Sequence, residues 1–215
     1  MKKILILIPV FLLAFQISKA QTEKGSQTLG IDLQFMYQKS TQNAFQSVPN
    51  PYESEVKNTN FSIGPNYSYF IADKLDIGVS LNYAHTSQNG KNSNYPNNVT
   101  SHQYGAALFL RKYFMFGDKL GLRAGPYIGY SRYDFRSADT STPTKTDSYV
   151  AGATMGLVYY PTKKLGVAAT LANFSYNHSK IKDDYNSQIG STNNVNFNII
   201  NNGVLLSVFY IFGGK

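Results

Sequence analysis

Residues 113–125 read YFMFGDKLGLRAG, and two near copies stand elsewhere in the chain: YFIADKLDIGV from Tyr69 and YYPTKKLGVAA from Tyr159. Each copy is an aromatic pair, a short polar turn with lysine, a leucine, and then small and apolar residues in alternation. The turn lysines, read as Lys74, Lys119 and Lys163, lie about 45 residues apart, the length of two strands, a long loop and a short turn. The repeat therefore predicts a hairpin unit used again and again along the chain.

Alternation extends outward from these turns, and because a strand sends successive side chains to opposite faces, it defines the faces. Leu29, Ile31, Leu33, Phe35 and Tyr37 share one face; Phe61, Ile63, Pro65, Tyr67 and Tyr69 share another. Leu75 to Tyr83, Tyr104 to Leu110, Leu120 to Tyr130, Ala151 to Tyr159, Leu165 to Leu171 and Val204 to Phe212 continue in the same manner. This predicts eight strands, with no competing helical segment. Opposite the apolar rows lie Gly, Ser, Thr, Asn, Asp and Arg, with Phe109, Tyr127 and Phe209 interspersed.

The N-terminus has a different character. Met1, Lys2 and Lys3 precede the apolar run Ile4 to Phe15, and Ser18-Lys19-Ala20 is a small-residue cleavage pattern. Residues 1–20 are expected to be a secretory signal peptide cut after Ala20, because the apolar run is shorter than the ~20 residues a spanning helix requires. The absence of cysteine means that an exported chain must be held without disulfides. The remaining 195 residues are expected to form one domain, 21–215; the full chain has 17 Tyr and 14 Phe, no Trp and a charged fraction of only 15%. Such a surface suits contact with something other than water.

A soluble sandwich buries its apolar rows against each other, whereas a transmembrane barrel turns them to lipid and keeps the polar face inside. Aromatics at the strand ends and a strict alternation of short and long connections favour the barrel. Short turns fall near Ala72 to Lys74, Gly117 to Lys119 and Pro161 to Lys164. Long polar loops are expected at Ser40 to Asn58, Ser87 to Ser101, Asp134 to Asp147 and Asn177 to Asn196. On this reading each echo is a periplasmic hairpin with an aromatic belt, a charged turn in water and a leucine re-entering lipid. The alternative is a secreted soluble barrel of lipocalin shape.

With these features in place, the sequence resembles the small eight-stranded outer-membrane barrels of the OmpA and OmpX type, the outer-membrane beta-barrel or porin-family proteins. The resemblance covers residues 25–212 and rests on the leader, the loop rhythm and the final strand GVLLSVFYIF. It implies an all-β, eight-stranded antiparallel up-and-down barrel in the outer membrane of a Gram-negative cell. It also implies short periplasmic turns, four long extracellular loops, contact with outer-membrane lipid and lipopolysaccharide, and recognition of Gly203 to Phe212 by the barrel assembly machinery. Many members end on the final aromatic, whereas this chain continues with Gly213-Gly214-Lys215.

Function is less narrowly bounded, since related barrels serve as adhesins, anchors, narrow pores and lipid-modifying enzymes. Mature net charge is +5, from 17 Lys and Arg against 12 Asp and Glu. No concentrated basic stripe suggests nucleic acid. No cofactor or metal motif appears. His85-Thr86-Ser87 resembles the His-x-Ser of outer-membrane lipid A deacylases, giving a catalytic alternative at His85 and Ser87, but no acid lies between Asp76 and Asp118. The main expectation is a non-enzymatic surface protein whose binding residues would include Phe45, Tyr52, Tyr95, Tyr133, Phe135 and Tyr185. A narrow solute channel is the transport alternative. Against it, Asp32, Asp76, Arg111 and Arg123 are expected to form a lumen charge network, with the two arginines facing each other, Asp76 bridging them and Asp32 extending the chain.

Overall fold

The computed structural model describes residues 22–43, 53–91, 99–137, 144–182, 187–199 and 205–213. Nine strands run in chain order: β1 Ser26–Asn43, β2 Glu53–Ala72, β3 Leu75–Lys91, β4 Val99–Phe116, β5 Leu120–Ser137, β6 Thr144–Tyr159, β7 Leu165–Lys182, β8 Gln188–Ile199 and β9 Leu206–Gly213. Neighbours from β1 to β7 pair antiparallel in sequence order, and β1 closes on β9 from Ser26↔Gly213 to Leu33↔Leu206. On its far side β7 pairs β9 through Leu165–Ala169 and β8 through Ala172–Lys182. Thus β8 and β9 together fill the eighth position of an antiparallel ring.

The sequence places a single last strand from Val204 to Phe212 and a loop through Asn196, so β8 is an addition. Its signal was present in NNVNFNII, where Val195, Phe197 and Ile199 alternate with Asn194, Asn196 and Asn198. The other strands also continue into segments expected as loops, β1 to Asn43 and β2 back to Glu53. Polar alternation above the apolar band is still a strand pattern when its backbone has a ladder partner.

The apolar rows face outward. Leu29, Leu33, Phe35 and Tyr37 on β1, Phe61 and Tyr67 on β2, and Leu108 and Ile128 on β4 and β5 are exposed, while Ser62, Asn66, Ser68, Asp76 and Ser101 are buried inside. Along β1 the outward row from Leu29 to Tyr37 covers eight residue steps, about 27 Å of strand, which a tilt reduces to roughly the height of a membrane barrel's apolar band. On β7 the alternation changes phase. Met155 pairs with Ala172 but Gly156 with Thr170, so Leu171 is an extra, bulged residue. Leu171, expected outside with Ala169, consequently lines the interior, and Phe174 and Tyr176 become the exposed residues.

The opening repeat has a double role. In each doublet one aromatic faces outward or sits near the edge, Tyr69, Phe114 and Tyr159, and the other is buried inside the ring, Phe70, Tyr113 and Tyr160. These inner rings pack with Val158, Ala168, Phe209 and Ile211 into an apolar cluster at the turn end. The lysine carbonyls tie neighbouring hairpins together: Tyr113 N–H donates to Lys74 O, Tyr160 N–H to Lys119 O and Ile211 N–H to Lys164 O, each at 2.8 Å. The third equivalent lysine is therefore Lys164, not Lys163, because it directly precedes Leu165 as Lys74 and Lys119 directly precede Leu75 and Leu120. Lys74 N–H donates in turn to Thr22 O at 2.6 Å, extending the collar to the first strand.

Two inner aromatics lie across glycines directly opposite them, Phe109 over Gly78 and Phe209 over Gly166. A Cβ at either glycine would overlap the ring, which explains why glycine occupies these strand interiors. Gly166→Ala should therefore destabilise the barrel by about 1–3 kcal/mol through overpacking against buried Phe209. Urea unfolding in detergent, followed by heat-modifiable gel mobility, measures this; a variant as stable as its parent would show that the ring is free to move.

Candidate functional site

Inside the ring, near the turn end, Asp76 is fully buried as the second residue of β3, directly opposite Arg111 on β4. The pair is bidentate, with Nε to Oδ1 at 3.1 Å and Nη2 to Oδ2 at 2.6 Å. Ser68 Oγ donates to the same carboxylate at 2.7 Å, and Tyr113 OH at 3.1 Å. Thr28 continues the chain through a 2.7 Å contact between its hydroxyl and that of Ser68. Arg111 also lies 3.9 Å over the Phe109 ring, so its planar face is covered while its edge is hydrogen-bonded.

Arg123 does not face Arg111. Phe116 pairs with Leu120, which centres the hairpin on Asp118; Arg111 stands seven residues before it and Arg123 five after. Arg123 is accordingly opposite Tyr113. Its Nη2 donates to Ser207 Oγ at 3.0 Å, and Ser207 Oγ donates in turn to Asp32 Oδ1. Asp76 thus holds Arg111 and does not bridge both arginines; Asp32 reaches Arg123 through a hydroxyl on β9. Two guanidinium groups and two carboxylates leave the cluster formally neutral, the condition under which charges persist in a desolvated interior.

Ser68, Tyr113 and Ser207 complete this network, and none carries a charge that marks it as a member in the sequence. Ser207 had a visible signal, a lone serine within LLSVF on the inward parity. Above the network lies a cavity of ≈ 410 Å³, bounded by Asp32, Gln34, Phe109, Arg123, Tyr127 and Asn198 among others. Tyr127 OH donates to Asn173 Oδ1 at 3.0 Å across its wall.

Of the expected binding aromatics, Phe45, Tyr52, Tyr95 and Tyr185 lie outside the described residues. Tyr133 and Phe135 belong to β5 and not to a loop, on the parity of Arg123, because β5 remains laddered to β4 and β6 up to that height. On the outer face His85 stands opposite His102, and the two rings are 4.9 Å apart. Tyr83 OH is 2.9 Å from His102 Nδ1. His85 Nδ1 is buried without a partner, and Ser87 Oγ accepts a long 3.4 Å bond from Asn89, so His85 does not engage the serine through that nitrogen. Asp134, two strands away, is in register with His102 and lies 3.6 Å from Arg132.

The strand ends away from the turns carry their own clamps. Glu55 sits between Lys39 at 2.7 Å and Lys57 at 2.8 Å, relieving the like charges of two lysines that face each other across β1 and β2. Asp147 pairs with Lys182 at 2.8 Å and accepts from Tyr130 OH at 2.7 Å. The Lys39 ammonium, then that of Lys57, holds the Glu55 carboxyl down at about 2.

A family model described as outer membrane protein beta-barrel domain matches residues 6–208. The outer membrane protein OprG from Pseudomonas aeruginosa is similar in structure, with a TM-score of 0.57 and 13% identity, over 93% of this chain and 100% of that one. Neisserial surface protein A gives 0.44 and 13%, over 87% and 97%. Ail, the attachment invasion locus protein of Yersinia pestis, gives 0.40 and 16%, over 88% and 99%. At such identities the likeness to OprG speaks for the fold alone. No curated protein sequence matches the chain.

Two outcomes test the site. Asp76→Ala should cost about 3–5 kcal/mol, since it strands Arg111 in the interior, whereas Asp76→Leu with Arg111→Met should recover most of the loss. Equal stability of the single variant and its parent in urea would contradict the pairing. Glu55, with its folded pKa depressed, contributes stability that is present above its ordinary 4.5 and is lost as pH falls toward about 2. Amide protection at the outer ends of β1 and β2, taken relative to the intrinsic exchange rate at each pH, should therefore fall over that window, and the fall should be absent in Glu55→Gln.

Proposed function

The chain belongs to the outer membrane protein beta-barrel domain family and is an integral outer-membrane protein; from that premise we propose that it is a non-enzymatic barrel whose lumen is closed and whose working surface is its extracellular end. The observation that carries this reading is the filled turn end, where Phe70, Tyr113, Tyr160 and Phe209 pack together beside the Arg111–Asp76 pair. An eight-stranded ring is about wide enough for its own side chains, so bulky rings and paired charges at one level leave no aqueous path. The His85 and Ser87 alternative lacks support in the hydrogen bonding around it.

Outer-membrane lipid and lipopolysaccharide are, on this reading, the medium for the exposed apolar rows. The segment Gly203 to Phe212 is what the assembly machinery would read. Binding, on this reading, resides in residues 44–52, 92–98, 138–143 and 183–186 together with the strand ends that carry them. Such segments can vary while a laddered scaffold stays constant.

Purified protein in planar bilayers should give no porin-sized current steps; stable steps of that size would overturn closure. Replacing the four connecting segments with short Asn-Gly turns should leave insertion and heat-modifiable mobility intact while abolishing adhesion of expressing cells to protein and glycan arrays. Failure to insert would remove the division between scaffold and display.

A further inference from the structure

Among the described residues four buried side-chain polar atoms have no hydrogen-bond partner, and two of them flank one histidine on the outer wall. His85, His102 and Asp134 form a ladder row across β3, β4 and β5, with His85 opposite His102 and His102 opposite Asp134. The two orphans are His85 Nδ1 and Asp134 Oδ1. Buried polar atoms are normally satisfied, so a lone pair of this kind calls for a partner other than the protein chain.

The row stands one outward step beyond Tyr83 and Tyr104, at a height where tyrosines mark the membrane interface and water is at hand. The ring centres of His85 and His102 are 4.9 Å apart, with the planes inclined at 47°. Zinc-class ions bind imidazole nitrogen at about 2.0–2.1 Å, so two imidazoles sharing one tetrahedral ion bring their ring centres to about 5 Å. The pair already has that separation. His102 is also oriented through its other nitrogen, since Nδ1 lies 2.9 Å from Tyr83 OH. With Nδ1–H donating to the tyrosine oxygen, Nε2 keeps its lone pair for an ion, the usual arrangement of a metal-binding histidine.

Asp134 adds negative charge to the row, and Arg132 approaches it only to 3.6 Å. Among the described residues no three His, Asp or Glu side chains converge closely enough to ligate one ion together. The carboxylate therefore belongs one shell further out.

We propose that His85 and His102 bind one divalent transition-metal ion of the class that prefers imidazole, zinc, nickel or copper, with water in the remaining positions and Asp134 accepting a hydrogen bond from one of those waters. The ion joins β3 to β4 at the foot of residues 92–98, which connect these strands. Two imidazoles and water make an exchangeable site, unlike a structural site closed by four protein ligands. His85 is here a ligand and not a base for Ser87, whose hydroxyl accepts from Asn89. Because it lies on the outer wall, the site is independent of lumen closure.

Untagged protein in phosphatidylcholine nanodiscs should bind one zinc ion per barrel in calorimetry. With copper(II) as the probe, electron paramagnetic resonance should show coupling to two imidazole nitrogens, a reading that needs no variant. His85→Gln and His102→Gln should each abolish stoichiometric zinc binding and leave a one-nitrogen copper spectrum. Asp134→Asn should weaken zinc about tenfold and keep both nitrogens. His178→Gln, which alters the third histidine, on β7, should change nothing. Fewer than two nitrogens in the parent, zinc binding that survives either of the first two variants, parental affinity in Asp134→Asn, or an equal loss in His178→Gln would overturn the proposal.

Discussion

A backbone amide in hydrocarbon has no water to fall back on, so each strand that crosses the membrane needs a partner on both sides. Everything else in this chain answers to that constraint. The eightfold ring, the three lysine carbonyls that accept from the next hairpin, and the closure of Ser26–Leu33 on Leu206–Gly213 are local solutions to it. They also explain how an exported chain without cysteine is held: the cross-links are ladder bonds around a ring, not covalent bridges.

Closing the ring creates a second demand, because a narrow lumen must be filled. At the turn end apolar packing is one solution and paired charges are a second, side by side, with Phe70 opposite Asp76 and Tyr113 opposite Arg123. The second solution is tolerated because the acids and bases meet their partners at hydrogen-bond distance, directly for Asp76 and Arg111 and through Ser207 for Asp32 and Arg123. Position decides what each residue type can do here. Arg132, also on β5 but outward at the strand's far end, reaches Asp134 only at 3.6 Å and remains substantially exposed.

Much of the architecture was legible because lipid outside and polar lumen inside impose a strict period of two. Leu29 to Tyr37 and Phe61 to Tyr69 stand on the expected face, and Asp32, Asp76, Arg111 and Arg123 all lie inward. The failures have local physical causes. Leu171 lies inward against its parity because a one-residue bulge is invisible to a parity count, and Arg111 and Arg123 miss each other because the hairpin centres on Asp118, one residue beyond Gly117. β8 is hidden in the sequence because asparagine resembles a loop by composition, although it alternates with Val195, Phe197 and Ile199. Ser207 carries no charge, so nothing marked it as the link between Asp32 and Arg123 except its place in an apolar run.

The central claim is that Arg111 is locked to Asp76 inside a closed lumen, and the most direct test is exchange at the Arg111 guanidinium. In nitrogen-15-labelled protein in nanodiscs near neutral pH, the Arg111 Nε–H should persist after transfer to deuterium oxide, while that of Arg132 disappears at once. Equal and immediate loss at both would mean that water passes freely around the pair, and the closed lumen would have to be abandoned.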